Sequence, residues 1–382
     1  MFALKNSFAV LDIGSSKITA LTGERGVNGT FAVGGMAEVE YDGFSEGQFF
    51  NIAKFKTAIK SAVCNLAESA KRQFGRIYIG VPGAFIRLEN RKFRTMLGRK
   101  RRIKQRDIDE LFEAGKEKIA TAGYEIIYAS DIYFALDDNR RVLEPVGNIS
   151  SVLGGYITYE LCEKYFTSAV RTALSELKIN DIKFVYDGYC EGRALLGKDT
   201  SDAPALIVDV GYITTSSTIF SGNGIYAKDS FDYGGGLITA GLVESYGLSP
   251  EAAEFLKREI SLGFICGGKS HYTVDDGGEV KMFPVEEVNE LVVEMLDALA
   301  ENIDTFLTEN SSKITVSNIY LSGGGISAMR GAKEHLAGRL GQTVELLKPK
   351  APQYNKASYA SIIGLLDFAL YEQDRHKKRF LI

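Results

Sequence analysis

The feature that most constrains this chain is a short pattern that occurs twice, at 8–22 and at 204–220. Each copy is an apolar strand ending in Asp-x-Gly, a turn rich in hydroxyl groups, and a second apolar strand. The two aspartates, Asp12 and Asp209, are 197 residues apart in a chain of 382 residues. Repetition at about half the chain length is typical of proteins built from two similar lobes. The content of 45% hydrophobic and 25% charged residues is that of a globular protein, so the pattern predicts a two-lobed α/β fold.

Turns of this kind can bind phosphate. Glycine lets the backbone approach a ligand closely, and successive N–H groups in a turn form an anion-binding concavity. Two matched turns on opposing lobes would hold a polyphosphate between them, with Lys17 neutralising charge and both aspartates orienting the waters of a Mg²⁺ ion. A single Asp-x-Gly turn is usually only structural, and that alternative applies to each copy. Two glycine clusters, 234–236 and 323–325, each before a predicted helix, favour nucleotide binding.

The segments between and after the two copies indicate further elements. A strand, a basic stretch, a predicted helix at 105–122 and more strands suggest a module inserted between the copies. Ser249 followed by Pro250 predicts the start of a helix. Apolar residues at helical spacing predict a long helix at 285–307 and a last helix that begins near Tyr359.

The inserted module contains a basic segment, 87–106, with ten Lys or Arg residues and a single acid. Its net charge of +9 leaves −13 for the rest of the chain. One interpretation is a docking surface for acidic headgroups, nucleic acid or an acidic protein. The other is a solvated edge strand protected by its charge. Phe93 is its one aromatic residue and no nucleic-acid motif is present, so no specific nucleic-acid partner is expected. The candidate contact residues are Arg99, Lys100, Arg101 and Arg102.

The expected compartment is the cytoplasm. No apolar stretch reaches the ~20 residues that cross a bilayer, and the start of the chain lacks an export signal. The cysteines are widely spaced and the histidines isolated, so no zinc site is expected. We expect all four cysteines to be buried thiols in a reducing environment: Cys64, Cys162, Cys190 and Cys266.

Three segments carry a resemblance to a known superfamily. The stretches 8–23 and 207–220 resemble the two phosphate loops, and 319–331 the adenosine motif, of the proteins that include actin, hexokinase and the large heat-shock chaperones. Within it the chain most resembles the FtsA family of bacterial cell-division proteins. Ile-Tyr-Ile-Gly-Val-Pro-Gly at 77–83 leads into the position of that family's extra subdomain, and Glu-Pro-Val-Gly at 144–147 resembles a segment within it. The Gly-Gly-Gly-Leu-Ile-Thr segment that starts at Gly234, followed by Glu254 and Lys257, resembles two further family elements.

The resemblance implies an actin-like two-lobed fold with duplicated mixed-sheet domains and an FtsA-type inserted α+β subdomain. The resemblance also divides the chain into four subdomains. Subdomain 1A comprises 1–84 and 164–203, with the helix at 359–382 packing back on it, and the inserted subdomain 1C comprises 85–163. Subdomain 2A comprises 204–240 and 312–358, and subdomain 2B comprises 241–311.

The resemblance also implies ATP and Mg²⁺ as cofactors and assigns residues to them. The metal would be held through water by Asp12 and Asp209. Asp187 falls where the superfamily often has a carboxylate near the attacking water, although an aspartate before Gly188 is equally typical of a turn. The implied phosphate and magnesium residues are Asp12, Gly14, Ser15, Ser16, Lys17, Asp209, Gly211 and Thr214. Ribose and base would meet Gly235, Gly236, Glu254 and Lys257, and Gly323, Gly324, Gly325 and Ile326 would close over the adenosine.

The second phosphate loop departs from the family pattern. Tyr212 and Ile213 carry β-carbons where glycine would let the backbone approach phosphate, and Ile213 would resist a positive φ. Ser216 replaces an acid that could serve a metal or a water. Positioning and charge neutralisation supply most of the catalysis in phosphoryl transfer. ATP binding is therefore expected, with weak or absent hydrolysis.

The resemblance implies a protein that polymerises head-to-tail and links FtsZ, through its C-terminal tail, and other divisome proteins to the membrane. It would lie at the inner face of the cell membrane at the division site. The basic segment would contact an acidic face of the next protomer. The family's linker and amphipathic membrane helix are not evident after the last helix, and the basic end at 375–382 suits a helix C-terminus better than a membrane contact. The alternatives are a pilus-assembly-type actin-like adaptor and a small-molecule kinase of the same superfamily.

Overall fold

The computed structural model describes residues 7–26, 30–196, 203–263 and 270–379, without the side chains of 375–379. Within these ranges the strands are β1 Phe8–Ile13, β2 Lys17–Arg25, β3 Phe31–Glu40, β4 Phe44–Ser45, β5 Gln48–Phe49, β6 Arg76–Val81, β7 Ile86–Arg102, β8 Tyr124–Ala135, β9 Arg141–Val142, β10 Ile149–Glu163, β11 Asp181–Tyr186, β12 Ala205–Val210, β13 Thr215–Ser221, β14 Gly224–Phe231, β15 His271–Asp276, β16 Glu279–Pro284, β17 Asn318–Ser322 and β18 Val344–Leu346. The helices are α1 Ile52–Ser69, α2 Gln105–Lys116, α3 Lys164–Ser175, α4 Asp187–Leu195, α5 Gly235–Tyr246, α6 Pro250–Glu259, α7 Val285–Ser311, α8 Ala332–Leu340 and α9 Ala360–Arg379.

The first lobe is built on a five-stranded sheet in the order β11-β6-β1-β2-β3. β1 is antiparallel to β2 and parallel to β6, so the first repeat forms a hairpin at the centre of this sheet. Its apolar strand residues face helices α1, α3, α4 and α9, and Leu11, Ile59, Phe166 and Leu366 are fully buried in the shared core. The α9 helix thus packs back on the first lobe.

The second lobe repeats this local topology. Its sheet has the order β14-β13-β12-β17-β18, in which β12 is antiparallel to β13 and parallel to β17. Val208, Leu242, Val292 and Leu299 are buried between this sheet and its helices. The duplication seen in the sequence is therefore a duplication of structure, and the predicted actin-like fold class is confirmed.

The inserted module is a four-stranded antiparallel sheet, β7-β10-β8-β9, with α2 packed on one face. The basic segment forms most of β7, which is an edge strand of 17 residues. The predicted helix at 105–122 is shorter than expected, since α2 ends at Lys116. Its first turn is fixed by Asp107, whose carboxylate accepts the backbone N–H of Lys104 at 2.8 Å.

Side-chain hydrogen bonds join the module and the two lobes. The Thr158 hydroxyl donates to the Ile225 carbonyl at 2.6 Å, which links the module to the second lobe. Between the lobes, the hydroxyls of Tyr186 and Thr218 are 2.7 Å apart. The two lobes and the module therefore meet along β14 and the adjacent β13.

Several smaller expectations can be compared with the structure. The helix predicted from Ser249 begins as expected, and the Ser249 hydroxyl accepts the Ala252 N–H at 3.2 Å. Cys162 and Cys190 are buried, but Cys64 is exposed on α1, so its predicted burial is wrong; Cys266 lies outside the described residues. Among the described helices, none combines the length and apolarity that a bilayer-spanning segment needs.

Candidate functional site

The two repeated hairpins meet each other across the lobes. Asp12 and Asp209 stand near the carboxyl ends of β1 and β12, beside Gly80 and Ser322 of the parallel neighbours. The backbone N–H of Ile213, in the second turn, donates to the hydroxyl of Ser15, in the first turn, at 3.0 Å. The predicted convergence of the two phosphate loops is therefore present in the geometry.

The glycine clusters lie against the second hairpin. Gly235 donates its N–H to the Gly211 carbonyl at 2.9 Å, and Gly325 donates to the Val210 carbonyl at 2.8 Å. A β-carbon on Gly235 would collide with the backbone of Gly325, so these segments approach as closely as only glycine allows. Gly323 has a φ of +84°, and a β-carbon there would collide with the Asp209 carboxylate. Three motifs far apart in sequence thus form one glycine-lined wall.

Four carboxylates gather at the junction of the lobes. Asp12 and Asp209 are joined by Asp187, which opens α4 rather than standing in a turn, with its carboxylate accepting the Gly188 N–H at 2.6 Å. The fourth, Glu191, escaped the sequence analysis and is 1% exposed. One of its oxygens accepts the Ser322 hydroxyl at 3.1 Å, and the other has no partner among the described residues.

Burial raises the pKa of all four carboxyl groups. Loss of solvation, opposed by the Ser361 hydroxyl bond and by Lys17, raises the pKa of Asp12 to about 6. Loss of solvation and the charge of Asp12 raise the pKa of Asp209 to about 7. The pKa values of Asp187 and Glu191 are raised well above their ordinary values, first by burial and then by the neighbouring acids. The site is therefore short of positive charge.

A hard cation such as Mg²⁺ would balance the negative charge of these carboxylates. Carboxylate oxygens are the ligands that Mg²⁺ prefers, and the bare Glu191 oxygen is a buried acceptor that a cation or its waters would satisfy. Among the described residues, no three acids are close enough to coordinate a metal directly. A Mg²⁺ ion here would accordingly be bound through its waters and through phosphate oxygens.

Lys257 and Glu254 lie next to the glycine wall. The Lys257 ammonium donates to the Gly235 carbonyl and to the Thr239 hydroxyl, both at 3.0 Å, and pairs with Glu254 at 2.7 Å. Burial lowers the pKa of Lys257, an effect that Glu254 opposes. The structure thus brings the predicted ribose and base residues together with the second hairpin.

Some predicted site residues point elsewhere. The Lys17 ammonium is paired with Glu38 on β3 at 2.6 Å. The Ile326 side chain is 2% exposed and belongs to the core of the second lobe, so only its backbone borders the site. Ser16 uses its carbonyl to accept the Tyr41 N–H, and Thr214 uses its carbonyl to accept the Gly211 N–H.

The substituted residues of the second loop fit without strain. Neither Tyr212 nor Ile213 has a positive φ, so the expected resistance of Ile213 does not arise. A β-carbon on Gly83 would lie 2.7 Å from the Ser216 hydroxyl oxygen, which places Ser216 against the first lobe. Sequence reasoning also missed Lys228, whose buried ammonium donates to the Gly83 carbonyl at 2.6 Å in the same region.

The candidate contact residues of the basic segment divide into two kinds. Arg101 makes two bonds of 2.7 Å with Asp107, the residue that caps α2, so its side chain has a structural role. Arg99, Lys100 and Arg102 are exposed, and no carboxylate in the described ranges lies within ion-pair distance of them.

Comparisons with known proteins identify the family. The family model described as cell division protein FtsA matches residues 206–364, and that of the SHS2 domain inserted in FtsA matches 83–158. Cell division protein FtsA of Neisseria meningitidis serogroup B is 25% identical over 65% of this chain and 60% of its own length. Cell division protein FtsA of Pseudomonas aeruginosa is 22% identical over 95% of this chain and 89% of its own length.

Solved structures show the same architecture. PilM in a PilM-PilN type IV pilus biogenesis complex superposes with a TM-score of 0.64 at 16% identity, covering 95% of this chain and 98% of the other. MreB5 of Spiroplasma citri bound to ADP has a TM-score of 0.59 at 11% identity, with 98% and 99% covered. At these identities the likeness establishes the actin-like fold alone. The two family models, which match different parts of one chain in the expected order, show that the chain belongs to the FtsA family of cell-division proteins.

Proposed function

We propose that this protein binds ATP with Mg²⁺ between its two lobes. The observation that carries the proposal is the convergence of both Asp-x-Gly hairpins and two glycine clusters on one cluster of buried acids. Phosphates would lie against the hairpin N–H groups, and the adenosine against the segment around Gly235, Gly325 and Lys257. Mg²⁺ would supply the positive charge that the acids lack.

Hydrolysis in this site would be weak or absent. A general base must be ionised, whereas burial raises the pKa of Asp187 well above its ordinary value and so disfavours the ionised form. Ser216 offers a hydroxyl where the family pattern has an acid. ATP would then act mainly as a bound ligand that stabilises one arrangement of the lobes.

Calorimetric titration with ATP and Mg²⁺ tests the site. Lys17→Ala should weaken binding about tenfold, because the lysine can turn from its exposed partner Glu38 toward phosphate and surface ion pairs are readily exchanged. Lys60→Ala is the matched control, since it removes another ion-paired lysine of the first lobe, bonded to Glu176 at 2.7 Å. Equal ATP affinity in the two variants would show that Lys17 does not contribute to the site. Absence of ATP binding in the wild type would refute the proposal.

The protein would also assemble head-to-tail through opposite charges. Helix α7 contains eight acids and no lysine or arginine, and the acids fall within an arc of about 140° at 100° per residue. All but Asp297, which pairs with His335 and Arg339, are exposed. The exposed cations of β7 supply the complementary charge on another part of the molecule. The acids are Glu286, Glu287, Glu290, Glu294, Asp297, Glu301, Asp304 and Glu309.

Family membership supports FtsZ, through its C-terminal tail, and other divisome proteins as partners. The outer part of the second lobe exposes apolar side chains that an apolar tail could cover, with Phe255 52%, Val280 64% and Met282 61% exposed. Peripheral contact with the inner face of the cell membrane at the division site belongs to the same proposal. A pilus-assembly adaptor remains the second candidate because of the similarity to PilM. Binding of an FtsZ tail peptide rather than a pilus-protein tail peptide separates the two.

A further inference from the structure

The ring of Tyr212 lies over the segment to which we assign the nucleoside. A β-carbon on Gly236 would be only 2.9 Å from Cε1 and 3.1 Å from Cδ1 of this ring, so the ring rests on the bare Gly236 backbone. The Lys257 ammonium is 5.6 Å from the ring centroid, within cation–π range. The carbonyl of Tyr212 accepts the Gly236 N–H at 2.6 Å, which holds the loop in place beneath the ring.

The groups that would meet a ribose are already engaged by the protein itself. Lys257 uses its three hydrogens on Gly235, Thr239 and Glu254. Lys257 is only 4% exposed, and the Tyr212 ring stands both against Gly236 and near the ammonium. We therefore expect a nucleoside that contacts Gly236 and Lys257 to displace the ring.

The ring can move without disturbing the loop. Tyr212 is 42% exposed, and no hydrogen bond to its hydroxyl is found in the described part of the chain. Rotation about χ1 takes the ring to another staggered position while the backbone bond to Gly236 stays intact. The ring is thus held by packing and by the cation–π contact, both of which a ligand can replace.

We propose that Tyr212 sets the affinity of this site for nucleoside triphosphates by covering the nucleoside pocket, and that it does not affect binding of the phosphate chain. The inference rests on the proposed nucleotide site and concerns a residue at which this chain departs from the family pattern. If the ring covers the pocket, the apparent affinity equals the affinity of the open pocket multiplied by the fraction of molecules in which the ring is displaced. The phosphates would bind on the hairpin side, at the turn in which the Ile213 N–H donates to the Ser15 hydroxyl.

The test compares two variants and two ligands in the presence of Mg²⁺. Tyr212→Ala removes the ring and should bind ATP about tenfold more tightly than the wild type, as expected if the pocket is open in about a tenth of molecules. Tyr212→Phe keeps the ring and should match the wild type. Inorganic tripolyphosphate, which lacks a nucleoside, should bind equally to all three proteins.

Three results would overturn the inference while leaving the nucleotide site in place. The first is an unchanged ATP affinity in Tyr212→Ala. The second is weaker ATP binding in that variant, which is expected if the ring stacks on the base. The third is an equal gain in affinity for tripolyphosphate, which is expected if the substitution loosens the whole loop. If no variant binds ATP or tripolyphosphate, the proposed function fails and the inference with it.

Discussion

Asp209→Asn should make the nucleotide-free protein more stable and at the same time abolish its stabilisation by Mg²⁺ and ATP. Ionisation of the Asp209 carboxyl group lowers the free energy of unfolding, because burial and the charge of Asp12 raise its pKa to about 7 from an unfolded value of 3.8. A shift of this size corresponds to a destabilisation on the order of 4 kcal/mol when the group is ionised. An amide has a similar shape without the charge.

The sign of the pH dependence follows from the same values. Between about pH 4 and pH 7 the folded protein binds more protons than the unfolded chain, so its stability falls as pH rises through this range. The gain from Asp209→Asn should therefore be larger at pH 8 than at pH 5. Below pH 4 Asp209 is protonated in both states and the gain should disappear.

Urea unfolding at pH 5 and pH 8, without nucleotide or metal, measures this effect. Asp304→Asn, which removes an exposed carboxylate of α7, serves as the control and should show no such pH-dependent gain. Since the variant is expected to be the more stable protein, its loss of ATP binding could not be attributed to unfolding. A variant that is less stable than the wild type at pH 8 would mean that Asp209 is not a strained carboxylate.

Reversal of the charges on α7 should prevent assembly, and reversal of those on β7 should do the same. Glu290→Lys with Glu294→Lys reverses the charge of one patch of α7, and the net charge of the helix changes from −8 to −4. Arg99→Glu with Lys100→Glu reverses one patch of β7, and the net charge of the basic segment changes from +9 to +5. Like charges in a contact cost several kcal/mol, so each double variant should need about 100-fold more protein to sediment. Arg101 is left intact because its bond to Asp107 holds the start of α2.

A mixture of the two double variants provides the decisive measurement. Neither double variant should sediment alone, but the mixture should. In the mixture the reversed patch of each variant faces the oppositely charged, reversed patch of the other, and the unchanged surfaces of the two variants also face each other with opposite charges. Sedimentation of the wild type should be lost near 1 M salt, where screening acts within about 3 Å. Glu113→Lys with Glu117→Lys is the matched control, since it makes the same charge change on exposed residues of the inserted module.

Two outcomes would count against this contact. If the mixture fails to sediment while the wild type does, the two surfaces do not meet. If the β7 variant sediments normally but is released from vesicles that contain anionic lipid, the basic segment faces a membrane. In that case the self-contact proposed for it is wrong.

The parts of the fold that could be predicted from sequence are those with local requirements. Repetition of Asp-x-Gly indicated two sheets with the same local topology, because the hairpin pattern is complete within about 15 residues of each copy. The glycine clusters were informative since no other residue tolerates the approach seen between Gly235 and Gly325. Helix α7 was evident from its apolar spacing alone.

The remainder depended on contacts between distant segments. Glu191 stands in a sequence that reads as an ordinary short helix, and only the position of Ser322 on the other lobe shows that it is buried. The pairings of Lys17 with Glu38 and of Arg101 with Asp107 likewise depend on how strands and helices pack. One signal for Glu191 was available, namely that an acid one turn of helix after Asp187 points to the same side.

The position of the inserted module also has a mechanical consequence. Its strand β10 leads directly into α3 of the first lobe, yet Thr158 and Asn90 are hydrogen-bonded to carbonyls of β14 in the second lobe. The module therefore bridges the two lobes. Any rotation that opens or closes the cleft must either break these bonds or tilt the module, and the exposed cations of β7 would tilt with it.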